Sequence, residues 1–196
     1  MPRLPETADE LSRLATLLGE GSDVAVRGDA TEAGVRGRSL ADYRILAFAT
    51  HGLVAGEFSG LAEPGPVMSP PATPTGDDDG YLAASEIGGL DLSAEMVLLS
   101  ACNTAASSGV QGAEGLSGLS KAFFFAGAKS LLVSHWSVQS DAAVSLTTEM
   151  INARKSGAAR SYPLALRASV LKLRRERSGE VERHPGFWGP FQVVGG

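Results

Sequence analysis

The sequence predicts an α/β protein with a mostly parallel central sheet flanked by helices. Short apolar runs alternate with helical patterns, and two of these runs, Arg44 to Ala49 and Met96 to Leu99, end abruptly in polar residues. A third run, Ser130 to Ser134, follows a helical stretch, giving strand, helix, strand in order. Continuous apolar runs this short suit strands covered on both faces, and the alternation with helices specifies a layered α/β sandwich.

Taken in order, Thr7-x-x-Glu10 is a capping-box pattern, and Leu11, Leu14, Ala15 and Leu18 follow at helical spacing until Gly19 and Gly21 stop the run. Val24-Ala25-Val26 is a short strand candidate, Thr31 to Arg38 a glycine-interrupted helix, and Arg44 to Ala49 a strand leading into His51-Gly52. From Gly52 to Gly80 prolines and glycines mark a long loop, with a brief edge strand at Pro66-Val67-Met68-Ser69. At its end Asp77, Asp79 and Gly80, with Glu86 beyond it, fall at the third, fifth, sixth and twelfth places of a calcium loop. Thr75 holds the first place and a proline-rich approach replaces the entering helix, so the segment reads as a solvated acidic turn.

Met96 to Thr104 forms the next apolar run, which stops at Cys102 and opens into small residues from Asn103 to Gly115. That stretch lacks the Gly-Lys-Ser/Thr ending of a phosphate loop, and no G-x-S-x-G elbow exists for a serine hydrolase. Leu116, Leu119, Phe123 and Ala126 repeat at helical spacing before the Ser130 to Ser134 strand, which implies a right-handed parallel crossover. Ser140 to Lys155 is a helix with Asp141 in its first turn, and Pro163 to Arg177 another with Pro163 near its start. Lys172, Arg174, Arg175 and Arg177 give the second helix a solvated face opposite Val170, Leu171 and Leu173, and Phe191 to Val194 closes as a last strand.

At 196 residues and 43% hydrophobic, the chain can bury one sizeable core and reads as one domain, 1–196. A formal charge of −5 argues against a nucleic-acid surface. One cysteine excludes an internal disulfide and fits a reducing compartment. No apolar run approaches the ~18 residues that cross a bilayer, and Pro2 to Glu10 is acidic rather than a signal peptide, so a cytoplasmic location is expected. The abundance of Ala, Gly and Arg suggests a GC-rich bacterial genome. Three histidines, one cysteine and no H-E-x-x-H motif give no basis for a zinc site, and no cofactor is expected.

Taken alone, Cys102 is a small buried hydrophobe. Its pairing with His51 changes that reading, because both sit where strands end, at the sheet edge where ligands collect, and a thiol beside an imidazole suggests nucleophilic catalysis. Ala49-Thr50-His51-Gly52 and Leu99-Ser100-Ala101-Cys102-Asn103-Thr104 resemble the two motifs of the CHAT domain, a caspase-like cysteine peptidase module related to separases. Asp79 to Ile87, Gly115 to Ala128 and His184-Pro185-Gly186-Phe187-Trp188-Gly189-Pro190-Phe191 resemble further segments of the same family.

The resemblance implies a caspase-like three-layer sandwich and a cysteine endopeptidase acting on a protein or peptide substrate. Cys102 would be the nucleophile, His51 the base, and the backbone N–H groups of Gly52 and Cys102 the oxyanion hole. It also implies tetratricopeptide-type repeats in the same full-length chain. Further sheet-forming sequence is expected upstream of Leu4-Pro5-Glu6-Thr7, which makes residues 1–196 a fragment of a longer, regulated protein. Two alternatives stand beside this reading: an idle scaffold or interaction module that retains the dyad, and a non-peptidase thiol enzyme such as an acyl transferase. His135, followed by bulky Trp136, is a rival base, and His184 reads as structural.

Overall fold

The structure is a computed structural model that describes residues 4–53, 55, 61–100, 118–136, 140–176 and 184–196. The described elements are α1 (Pro5–Leu18), α2 (Glu32–Arg36), β1 (Ile45–Phe48), β2 (Gly52–Leu53), β3 (Gly65–Pro66), α3 (Ala84–Gly88), β4 (Met96–Leu99), α4 (Gly118–Phe125), β5 (Ser130–Ser134), α5 (Ser140–Lys155), α6 (Tyr162–Glu176) and β6 (Phe191–Gly195).

Four strands form the central sheet in the order β1-β4-β5-β6. β1, β4 and β5 run parallel, and β6 turns back antiparallel to β5. Side chains of β4 alternate between two cores, as the two-residue period of a strand requires. Met96 and Leu98 join Leu14 of α1, Leu146 and Met150 of α5 and Leu173 of α6 on one face. Val97 and Leu99 join Ile87 of α3 and Leu119 and Phe123 of α4 on the other. The result is an α/β sandwich with a mostly parallel sheet between two helical layers, consistent with the caspase-like architecture.

Most expected elements form where their patterns lie, but two local readings are corrected. Thr7 does not cap α1: Pro5 occupies its first turn, Leu4 is the N-cap, and the Thr7 hydroxyl donates to the Leu4 carbonyl at 2.7 Å. Glu10 instead turns inward and is 2% exposed. The strand expected at Val24-Ala25-Val26 is also absent. Val26 has extended dihedrals, φ −135° and ψ 152°, but the segment joins no ladder among the described residues.

Backbone packing is tight where α4 turns into β5. Gly127 has φ +112°, and a Cβ there would overlap the Leu92 carbonyl oxygen, so glycine is required on both conformational and steric grounds.

The outer edge of β1 has no strand partner among the described residues. It borders a cleft of about 1230 Å³ walled by α1 and the chain from Glu20 to Thr31, which extends to Thr50, His51, Val67 and Met68. An open edge is a template for pairing with another strand.

Candidate active site

The site is built on the neighbouring ends of β1 and β4. Their parallel register runs from Ile45↔Met96 to Phe48↔Leu99, and the Ser100 N–H continues it by donating to the Phe48 carbonyl at 3.1 Å. The two strands therefore finish side by side and pointing the same way. His51 follows β1, is half-buried and lines the cleft. Cys102 lies outside the described residues, as does the Asn103 to Gly115 stretch.

His51 is held by its backbone from the loop side. The Val67 N–H donates to the His51 carbonyl at 2.8 Å, and the Thr50 hydroxyl donates to the Val67 carbonyl at 2.6 Å. Immediately beyond, β2 and β3 pair antiparallel with Gly52 opposite Pro66. In antiparallel pairing the positions flanking a bonded pair point outward, so the Val67-to-His51 bond directs the Gly52 N–H away from β3. Toward β2 Pro66 needs no N–H, so the pairing tolerates a proline there, while on its other side its carbonyl accepts the Leu82 N–H at 3.2 Å. The short strand expected around Pro66 to Ser69 thus forms as Gly65–Pro66, and Val67 adds a bridge to Tyr81.

A second carboxylate-centred network supports that loop. Oε1 of Glu32, a fully buried residue, accepts from the backbone N–H groups of Asp79, Gly80 and Tyr81 at 2.9, 2.6 and 2.9 Å. Its Oε2 pairs with Arg36 at 3.3 Å, and Arg36 reaches Glu86 at 2.9 Å. Gly80 in turn takes the Met68 N–H on its carbonyl at 2.9 Å, so Glu32 is tied through two backbone steps to the residue next to Val67. The calcium-loop positions do not converge on a common point. Glu86 accepts the Ala83 N–H at 2.8 Å, and Asp79 accepts the Tyr81 N–H at 2.9 Å. Among the described residues no group of three or more His, Cys, Asp or Glu is arranged to hold a metal ion.

The rival histidines have other attachments. His135 follows β5 with Nε2 at 2.7 Å from Gln192 Oε1, while its backbone N–H donates to the Pro190 carbonyl at 3.0 Å. His184 accepts the Gly186 N–H on Nδ1 at 3.1 Å and shapes the turn before β6. The cationic face of α6 is exposed as expected at Lys172, Arg174 and Arg175, with Lys172 paired to Glu149 at 2.7 Å and Arg174 stacked 5.3 Å from the Trp188 ring centroid; Arg177 lies outside the described residues.

Glu10 is the buried group that local pattern misassigned. Its Oε1 lies 2.7 Å from the Ser100 hydroxyl and 2.8 Å from the Thr147 hydroxyl, joining α1, the end of β4 and α5. Burial pushes its carboxyl above the usual carboxylate range, against the two hydroxyls, which favour the charged form.

The family model described as the CHAT domain matches residues 1–196, the whole chain. Among curated proteins none matches.

Proposed function

Because this chain belongs to the CHAT domain family, a caspase-like peptidase-family domain, we propose that it is a cysteine endopeptidase with Cys102 as nucleophile and His51 as general base. The observation that carries the reading is the β1–β4 register. His51 and Cys102 each stand three residues beyond the last pair, Phe48↔Leu99, on parallel strands. Neighbouring strands lie about 4.8 Å apart, so chains continuing from these ends start within reach of one another.

In this mechanism His51 takes the Cys102 thiol proton, and the thiolate attacks the scissile carbonyl carbon. A C–S bond forms as the carbonyl electrons move onto oxygen, where the Gly52 and Cys102 N–H groups offset the charge. The C–N bond then breaks, with the proton passing from His51 to the leaving amine. Water, deprotonated by His51, cleaves the thioester and restores the thiol. The outward direction of the Gly52 N–H and the clamping of the His51 backbone by Val67 support these assignments.

The substrate is a protein or peptide, and other domains of a longer chain regulate the activity. The edge of β1, which has no strand partner among the described residues, is a template such domains could use. Among the described residues no helix is long and apolar enough to cross a membrane. A nucleophile that works only as a free thiolate fits a reducing cytoplasm.

Cleavage-site profiling with a proteome-derived peptide library, run beside a panel of thioesters, tests the reaction class. Peptide products sharing a residue before the cut are expected with the native chain and not with Cys102→Ala. Thioester turnover without peptide cleavage would instead identify an acyl transferase.

A further inference from the structure

The mechanism leaves two buried carboxylates unused: Glu32 braces the loop beside His51, and the other, Glu10, joins partners far from it in sequence. Glu10 is 2% exposed in α1, yet it meets Ser100, 90 residues away, and Thr147, 137 residues away. A buried carboxylate one turn from Leu14 carries a desolvation penalty that an apolar residue there would avoid. Local rules broken in this way tend to mark sites that function requires.

The two hydroxyls are not equivalent. Thr147 Oγ1 also lies 2.9 Å from the Ala143 carbonyl, so it has an acceptor within its own helix. Ser100 immediately follows β4: its backbone N–H donates to the Phe48 carbonyl of β1, and its hydroxyl donates to Glu10. Its backbone is thus fixed to the histidine strand while its side chain is fixed to α1.

We propose that Glu10 is a positioning residue which, through the Ser100 hydroxyl, sets the end of β4 from which Cys102 follows two residues later. This inference rests on the reading of Cys102 as nucleophile. Misplacing a reacting group by about 1 Å can cost on the order of 100-fold in rate, so a fixed anchor two residues before Cys102 in sequence has a use that general stability does not supply.

The test compares the two hydroxyls on the same carboxylate, in the full 196-residue chain. Ser100→Ala, Ser100→Thr and Thr147→Val are each measured for urea stability, for amide exchange at position 100, and for the rate at which iodoacetamide alkylates Cys102. Ser100→Ala is expected to speed exchange at that amide and slow alkylation, each roughly tenfold, with Ser100→Thr restoring both. Thr147→Val is expected to change neither beyond what its own stability loss explains. If both losses simply track stability, or if Ser100→Ala changes neither exchange nor alkylation, the positioning role is overturned. An exchange contrast in a protein whose native thiol reacts no faster than free cysteine would uphold the anchor and overturn only the peptidase reading.

Discussion

Replacing His51 with Ala is expected to lower kcat/KM for peptide cleavage by about 10²- to 10⁴-fold, the range over which a positioned acid–base group contributes. Cys102→Ala is expected to bring cleavage to background, because no other group in the chain can form the thioester. The two losses should not add. Once the nucleophile is gone the base has nothing to deprotonate, so the double variant should match Cys102→Ala. His135→Ala, by contrast, should leave kcat within a few-fold of native, since that ring is engaged by Gln192 on the neighbouring antiparallel strand β6. Steady-state kinetics on one fluorogenic peptide checks all four. A His135 variant as impaired as the His51 variant would reassign the base.

The second large effect is on stability. Glu32→Ala removes the acceptor of three backbone N–H groups and the partner of Arg36 from a site with no exposure. Leaving three inward-facing backbone N–H groups without their acceptor costs about 3–5 kcal/mol, while Arg36, partly exposed, keeps Glu86. For a chain of 196 residues, each kcal/mol lowers Tm by roughly 2–4 °C, so a fall of roughly 6–20 °C is expected. Glu32→Gln keeps an oxygen for the three N–H groups and should lose less. Because the turn at Gly80 holds Met68, and Val67 holds His51, the Ala variant should also lose turnover under conditions where it remains folded. A stability change below about 1 kcal/mol by urea titration would show that the turn does not depend on Glu32.

How far the sequence could be read depended on how local each interaction was. Ser140 to Lys155 forms as a helix with the expected boundaries, because helical periodicity and the first-turn Asp141 are properties of the segment itself. The buried strand Ser130 to Ser134 was legible for the same reason, as a short apolar run bounded by polar residues. Val24 to Val26 has β-favouring residues but finds no ladder, and a strand exists only through its partner.

The carboxylates were the least legible. Glu10 fits a capping box locally, yet its partners come from β4 and α5, and nothing near Thr7 encodes them. Glu32 follows a true cap, Thr31, whose hydroxyl accepts the Gly34 N–H at 3.0 Å. That position predicts a first-turn acid facing solvent, not one that gathers the backbone of residues 79 to 81. The acidic turn was read from its charges, and Asp77 and Asp79 are indeed exposed, but its backbone N–H groups point inward to Glu32. The place of His51 just beyond β1 was legible because the strand and its stop are local. The Val67 clamp on it was not, since it depends on how the proline-rich loop returns.

The central claim is that His51 activates Cys102, and the alkylation rate of that thiol as a function of pH measures this most directly. With a single cysteine in the chain, each iodoacetamide adduct reports Cys102 alone. The native protein should react faster than free cysteine at neutral pH, with a thiolate that persists below the ordinary cysteine pKa of about 8.5, and His51→Ala should slow the reaction and move its midpoint upward. Equal rates and equal midpoints in the two proteins would contradict the dyad and leave Cys102 an ordinary thiol on a caspase-like scaffold.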